Sequence, residues 1–438
     1  MIGSALEMSR DPTAFMLRQY RALGPIFELR LGPRRVTALA GPEAVRFALQ
    51  TGYRYLASGR FWAPFLAEFE AESFLLSKDG PAHRHRRNLL KPGYARGALH
   101  RRFDHVITIL RTHLSAVVAS SRVGRGASVT PLLQRALTDV LGRVLANYDF
   151  GDRLDDLLRY HTTLMMVTAG ARPSLALLAP GHRRRRRRVL AAVDEILREH
   201  RERARAEPDF IDIILEAQAR APKQAPEFSD AELTLVSIGP FFAGKDTAAL
   251  TCGFLLWALL EDPSLLQRAR AESDALFSAG APAPEAIDAA PTLSGVTTEA
   301  LRRYPVSPMI PRTAARDFDF AGYRVPAGRE LLVMTAVSHF LPRFYPAPAR
   351  FDIDRYRVGA DGDPLRELKR KGAFAPFGVG PHLCLGAAFA QSLIKLTVAT
   401  LLHHYDIELD PPGYQLRTIL APGPTPAPDF RVRLRERR

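Results

Sequence analysis

The chain has 438 residues, 47% hydrophobic and 24% charged, which is the composition of an ordinary globular protein and excludes a disordered or fibrous one. Two cysteines are too few for a disulfide-stapled scaffold and fit a reducing compartment. The formal charge of +15 favours acidic partners, and Met1 to Gly24 holds no apolar run of signal-peptide or membrane-span length, so a cytoplasmic protein without a membrane span is expected.

Asp11-Pro12 opens a helical pattern through Phe15, Leu17 and Tyr20 that stops at Gly24-Pro25. The run from Ile26 to Leu31, the turn Gly32-Pro33 and the run from Val36 to Ala40 read as a hairpin, and Gly41-Pro42 starts a helix through Leu49. Residues 60–76 are rich in aromatics, including Phe61, Trp62, Phe65 and Phe74, a pattern that usually means core packing. Asp79-Gly80-Pro81 starts a helix on which His83 and Arg87 stand four apart on one face, and Pro92-Gly93 ends it. Taken alone, that basic run is a solvated face.

Residues 98–205 carry helical periodicity with breaks at Gly124 to Gly126, Gly151-Asp152 and Pro180-Gly181. Arg183 to Arg188 are six consecutive arginines at the start of a helical pattern. An exposed helix end is the plainest reading; weak contact with an anionic surface and nucleic-acid binding are the others, with nucleic acid not expected. After a Pro-containing linker from Ala221 to Pro226, Ser229-Asp230-Ala231-Glu232 is a capping box. It opens the longest helical pattern, Asp230 to Glu261, interrupted by Gly239-Pro240 and followed by Ala243-Gly244-Lys245-Asp246-Thr247. Pro and Gly there predict a kink. Ala281 to Pro291 reads as a loop. Glu299 and Arg302 form an E-x-x-R spacing, uninformative alone because such pairs are usually weak surface bridges. Strands are expected at Phe318 to Tyr323 and Leu331 to Thr335, with a turn at Val325 to Gly328, and a further turn at Ile419 to Pro422.

The most informative stretch is Phe374 to Ala390. Gly378, Gly380 and Gly386 permit tight backbone approach, Pro381 stiffens the turn, and Cys384 stands just before an apolar helical pattern, where helix-terminal N–H groups favour a thiolate. A lone cysteine is usually a small buried hydrophobe. Zinc and iron–sulfur centres need several clustered ligands, and the other cysteine, Cys252, is remote in sequence. The whole string F-x-x-G-x-H-x-C-x-G resembles the haem-binding signature of the cytochrome P-450 family, with His382 where many members carry arginine.

The resemblance runs from about residue 10 to the end and implies one domain over 1–438. That fold is mainly α with small antiparallel sheets, a β-rich part at about 20–60 packing with 305–340, and haem between the long helix and the helix after the cysteine loop. It implies haem b, with Cys384 as iron ligand, His83, Arg87, Arg312 and His382 on the propionates, and Phe377, Gly378 and Gly386 shaping the loop. Ala243, Gly244, Asp246 and Thr247 match the family's A-G-x-D-T, Gly244 leaving room for dioxygen and Asp246 with Thr247 relaying protons. Glu299, Arg302 and Arg350 would form a structural ion-pair network. Phe61, Trp62, Phe65, Phe74, Leu235, Ile238, Phe242, Ser307, Met309, Ile310 and Leu420 would line a hydrophobic substrate pocket.

The implied function is a monomeric haem-thiolate monooxygenase. It would hydroxylate a fatty acid, terpenoid, steroid or polyketide-like molecule with O2 and electrons from a ferredoxin system or flavodoxin. The alternatives are a peroxide-using peroxygenase or isomerase, and a non-catalytic haem sensor.

Overall fold

A computed structural model describes Ser4, Glu7, Met8 and residues 11–121, 126–203, 207–222, 227–359 and 362–437. The expected break at 124–126 lies outside these except for Gly126, as does most of the linker at 221–226. Two compact units emerge, and the chain is mainly helical.

The first unit comprises Met1–Phe61, Ser294–Cys384 and Leu416–Ala427. Its centre is a five-stranded sheet in the order Ile26–Leu31, Arg34–Ala40, Glu330–Met334, Ile310–Ala314, Leu56–Ala57. The predicted hairpin is present: Leu31 pairs with Arg34, and Gly32 at φ +62° takes the turn position that favours glycine. Arg34–Ala40 runs parallel to Glu330–Met334, and the other pairings are antiparallel. Strand alternation sends Leu39, Leu331 and Val333 into one apolar cluster and Ala38, Ala40 and Met334 into another. One expected strand is two. Phe318–Phe320 turns at Ala321 and Gly322, both at positive φ, and pairs with Tyr323–Val325.

The second unit comprises Trp62–Leu293, Leu385–Gln415 and Pro428–Arg438. The periodic region resolves into helices Phe103–Ser121, Val129–Leu145, Leu154–Thr168 and Pro180–Glu202. Pro180 begins a helix and so fits its first turn. The proline-rich segment after Ala281 contains a short helix, Pro284–Ala289. The capping box forms as predicted: Glu232 N–H donates to Ser229 Oγ at 3.2 Å, and Ser229 N–H to Glu232 Oε2 at 3.4 Å. The helix it starts, Asp230–Glu261, is apolar around most of its circumference and continues as one element through Pro240. A three-stranded sheet joins Ala127–Ser128, Arg431–Glu436 and Tyr405–Leu409. Among the described residues, one helical stretch, Gly380–His404, is long and apolar enough to cross a membrane, and 67% of its most apolar window is buried, as in a core helix.

Candidate active site

The cysteine loop belongs to the first unit. Gly378 and Gly380 sit at φ +77° and +67°, and a Cβ on Gly380 would lie 3.0 Å from the Ala48 carbonyl oxygen. The loop closes on itself: Cys384 N–H donates to the Phe377 carbonyl at 2.8 Å, and Leu383 N–H to that of Gly380 at 3.0 Å. Cys384 is exposed, just ahead of Gly386, the N-cap of helix Ala387–His404. Cys252 is buried, and burial pushes its thiol up to about 12, so it is the inert cysteine of the two. Strand Ile310–Ala314 reaches the loop, with Ile310 Cδ1 3.6 Å from where a Gly378 Cβ would stand. That strand carries Arg312, which donates to the Pro311 carbonyl at 2.8 Å. His382 Nε2 is 3.3 Å from the buried Ser58 hydroxyl, a partner the sequence did not reveal.

Glu299 and Arg302 are both fully buried and bidentate, at 2.6 and 2.8 Å. Arg302 also donates to the carbonyls of His339 at 2.8 Å and Arg350 at 3.2 Å. The expected third side chain needs correction: Arg350 joins through its backbone, and the second guanidinium near Glu299 is that of Arg355, at 3.5 Å. Tyr356 completes the set with a 2.6 Å hydrogen bond to Glu299. His339 ties this brace to the cysteine loop. Its Nδ1 is 3.2 Å from the Arg302 carbonyl, and its Nε2 accepts the Ala375 N–H at 3.0 Å. Burial, then the Arg302 charge, pushes its pKa down to about 3, so it bridges as a neutral ring.

Of the expected pocket residues here, Met309 and Ile310 are half-buried against the two core clusters, and Ser307 is exposed. Leu420 is half-buried on strand Thr418–Leu420, next to the tight turn to Pro424–Pro426. Phe61 is half-buried at the end of the first segment.

In the second unit, His83 is buried and Arg87 half-buried on helix Gly80–Leu90. Between them Arg86, which the sequence reading passed over, is buried against Glu227 at 2.9 Å and Glu232 at 3.2 Å, with its guanidinium 4.0 Å from the Phe228 ring centroid. Gly386 is in ordinary contact with Tyr94, 3.5 Å from its would-be Cβ.

On the long helix, Ala243 and Thr247 are exposed one turn apart although most of the helix is buried. A Cβ on Gly239, one turn earlier, would meet nothing within 4 Å. Small residues thus leave one stripe of this helix uncovered. Gly244 differs: a Cβ there would fall 2.6 Å from Leu141 Cδ1, so its smallness admits the helix Val129–Leu145, where the sequence reading reserved it for dioxygen. The Thr247 hydroxyl donates to the Ala243 carbonyl at 2.9 Å.

Asp246 lies in a polar cluster. Its Oδ1 accepts from Lys245 Nζ at 2.5 Å and from Gln134 Nε2 at 2.6 Å, while Oδ2 is 3.6 Å from His161 Nδ1. Burial raises the Asp246 pKa, but the Lys245 charge and these donors outweigh it and hold the carboxyl below its ordinary value. Burial and Lys245 push His161 down to about 3, leaving it neutral. Nearby stands an aromatic wall. Phe242 touches Phe65 edge-on at 5.9 Å, Trp62 touches Phe65 and Phe74 at 5.7 and 5.3 Å, and Phe69, Tyr160 and His161 also surround Phe242. Leu235 and Ile238 are buried on the same helix.

The cysteine loop suits a haem's sulfur ligand: it presents an exposed thiol on a tight glycine-shaped turn, in the unit that also carries Arg312 and His382. The family model described as Cytochrome P-450 matches residues 1–423. The chain belongs to the cytochrome P-450 family. It is similar to cyclooctat-9-en-7-ol 5-monooxygenase of Streptomyces melanosporofaciens, at 29% identity over 92% of this chain and 86% of that one. A sterol 14alpha-demethylase of Mycolicibacterium vanbaalenii is 31% identical over 48% of this chain and 46% of its own. The fold is that of a retinoic-acid-bound cyanobacterial CYP120A1, with TM-score 0.83 at 24% identity, covering 100% of this chain and 97% of that one. As a cytochrome P-450 the chain is a haem-dependent oxidoreductase of monooxygenase type.

Proposed function

We propose that this cytochrome P-450 hydroxylates a terpenoid- or sterol-like hydrophobic molecule, with haem b bound through Cys384 and electrons delivered singly by a ferredoxin system or flavodoxin. The observation that carries the reading is Cys384 itself, an exposed thiol on a glycine-shaped loop in front of a helix. The names of the two relatives, a cyclic terpenoid alcohol monooxygenase and a sterol demethylase, support the substrate class.

When bound, haem supplies oxygen activation and transfer of one oxygen atom to carbon. The chain supplies ligation, orientation and protons. Cys384 donates its thiolate. His83, Arg87, Arg312 and His382 neutralise the propionates. The wall of Trp62, Phe65, Phe74 and Phe242 orients an apolar substrate. Thr247 can turn its hydroxyl from the Ala243 carbonyl toward the uncovered stripe. Asp246, ionised, can take up a proton at Oδ2, the oxygen facing His161, and release it. Lys245 is the lone basic residue on this helix, and its pairing with Asp246 argues against a peroxygenase-like role recruiting a substrate carboxylate.

The reduced carbonyl spectrum tests the ligand: Cys384→Ser should lose the thiolate-dependent Soret band, and its retention would overturn the assignment. A spectral-shift series of terpenoid alcohols, sterols and fatty acids tests the substrate class. Turnover with NAD(P)H and a ferredoxin system, set against peroxide alone, tests the electron source.

A further inference from the structure

Helix Pro180–Glu202 opens with six arginines in its first turns, at Arg183–Arg188. Positive side chains there oppose the helix dipole, whose N-terminal end is itself positive. The fold answers half of that charge. Arg185 is 3.7 Å from Asp156, Arg186 is 3.5 Å from Glu68, and Arg188 is 2.6 Å from Asp152 and 3.0 Å from Asp156. Arg183, Arg184 and Arg187 are exposed and make no ion pair among the described residues. At 3.6 residues per turn they fall within an arc of about 100°, one outward face of the helix. The run that looks uniform in sequence therefore has a paired inner side and an unanswered outer one.

A second feature lies immediately before it. Ser174–Leu178 is a turn of 3-10 helix, in which residues three apart eclipse. Leu175 and Leu178 stand three apart and are 70% and 53% exposed. Arg172, exposed, flanks them on the other side. Two outward leucines framed by uncompensated arginines combine the two attractions that reversible attachment to a charged bilayer requires, and neither alone is strong enough.

We propose that this turn and the outer arginines form a docking face for an anionic lipid surface. The guanidinium groups meet headgroup phosphates, and Leu175 and Leu178 enter the interfacial layer. Charge complementarity selects an anionic partner, and the leucines select a bilayer over a nucleic acid, whose backbone offers them nothing to bury against.

The test is co-sedimentation of the full haem-loaded chain with vesicles of phosphatidylcholine alone and of phosphatidylcholine mixed with phosphatidylglycerol. Binding is expected only to the mixed vesicles and should fall as salt rises. The variant R183Q/R184Q/R187Q should bind about 100-fold more weakly, since each basic residue at an anionic surface contributes roughly a factor of five. L175S/L178S should bind about tenfold more weakly. A control, R324Q/R357Q/R435Q, removes three arginines that are 66%, 70% and 72% exposed elsewhere and should bind as the parent does. An unchanged Soret spectrum in each variant shows that it has folded. Equal binding to neutral vesicles, or equal losses in control and triple variant, would overturn the proposal. So would a short DNA duplex that binds through the same arginines more tightly than the vesicles do.

Discussion

Two buried ion pairs, one in each unit, use the same chemistry to different ends. In Glu299–Arg302 both side chains are 0% exposed, and the polar atoms around them are satisfied by Tyr356, Asp352 N–H and two backbone carbonyls. In Lys245–Asp246 the lysine is 1% exposed but the aspartate is 21% exposed. Both donors there crowd onto Oδ1, while Oδ2 faces a neutral imidazole at 3.6 Å, too far for a hydrogen bond. A pair whose two members are both saturated with hydrogen bonds has no cheap alternative state and acts as a brace. A lopsided one beside an uncovered helix face keeps a carboxylate oxygen available for proton traffic.

Breaking the brace should have the largest effect. Arg302→Ala leaves Glu299 charged and buried, which should cost about 4 kcal/mol of stability in urea titration. Asp246→Asn should cost less, about 2 kcal/mol, because part of the site meets solvent. It should also lower product formed per electron consumed, with turnover down about 100-fold. A stability loss with full coupling would show that this pair is only a second brace.

Lys245→Met sharpens the contrast through pH. The Asp246 carboxyl is held below its ordinary value, so the pair's contribution to stability is present above the ordinary carboxylate pKa and is lost as pH falls through the lower folded one. Without the lysine charge, burial prevails and the carboxyl binds its proton at higher pH. The acid limb of the turnover profile should therefore move up by about 1–3 units. His161 is held neutral chiefly by its burial, which the substitution leaves in place, so it does not supply the limb. An unmoved limb would detach Asp246 from the chemistry.

What was legible in the sequence was local. The hairpin at Gly32-Pro33, the capping box at Ser229 and the turn-forming glycines before Cys384 each write their physics into a few adjacent residues. The brace was half legible: Glu299 and Arg302 share a helix, but the choice between Arg350 and Arg355 depends on the turn Ile353–Tyr356, which is set by packing. His339 carries no local signal, because its role is to join the Arg302 carbonyl to the Ala375 N–H, which lie 37 and 36 residues from it on either side. Lys245 was visible as the lone basic residue of an apolar helix. Its pairing was not, since successive helical residues point apart and only the long lysine stem closes the gap.

The smallest expected effect separates two readings of one glycine. If Gly244 is small so that the helix Val129–Leu145 can approach, then Gly244→Ala must displace Leu141 Cδ1, which would lie 2.6 Å from the new Cβ. That atom ends a flexible side chain, so the loss should be modest, about 1 kcal/mol. Shortening the opposing side chain should recover it: Leu141→Ala alone opens a cavity, but combined with Gly244→Ala the new methyl fills part of that space, and the two changes should be non-additive. Coupling of electrons to product should stay unchanged throughout, because Ala243 and Thr247 face the uncovered stripe and Gly244 does not. If coupling falls in Gly244→Ala and Leu141→Ala fails to restore stability, the glycine serves the reaction and the packing explanation is wrong.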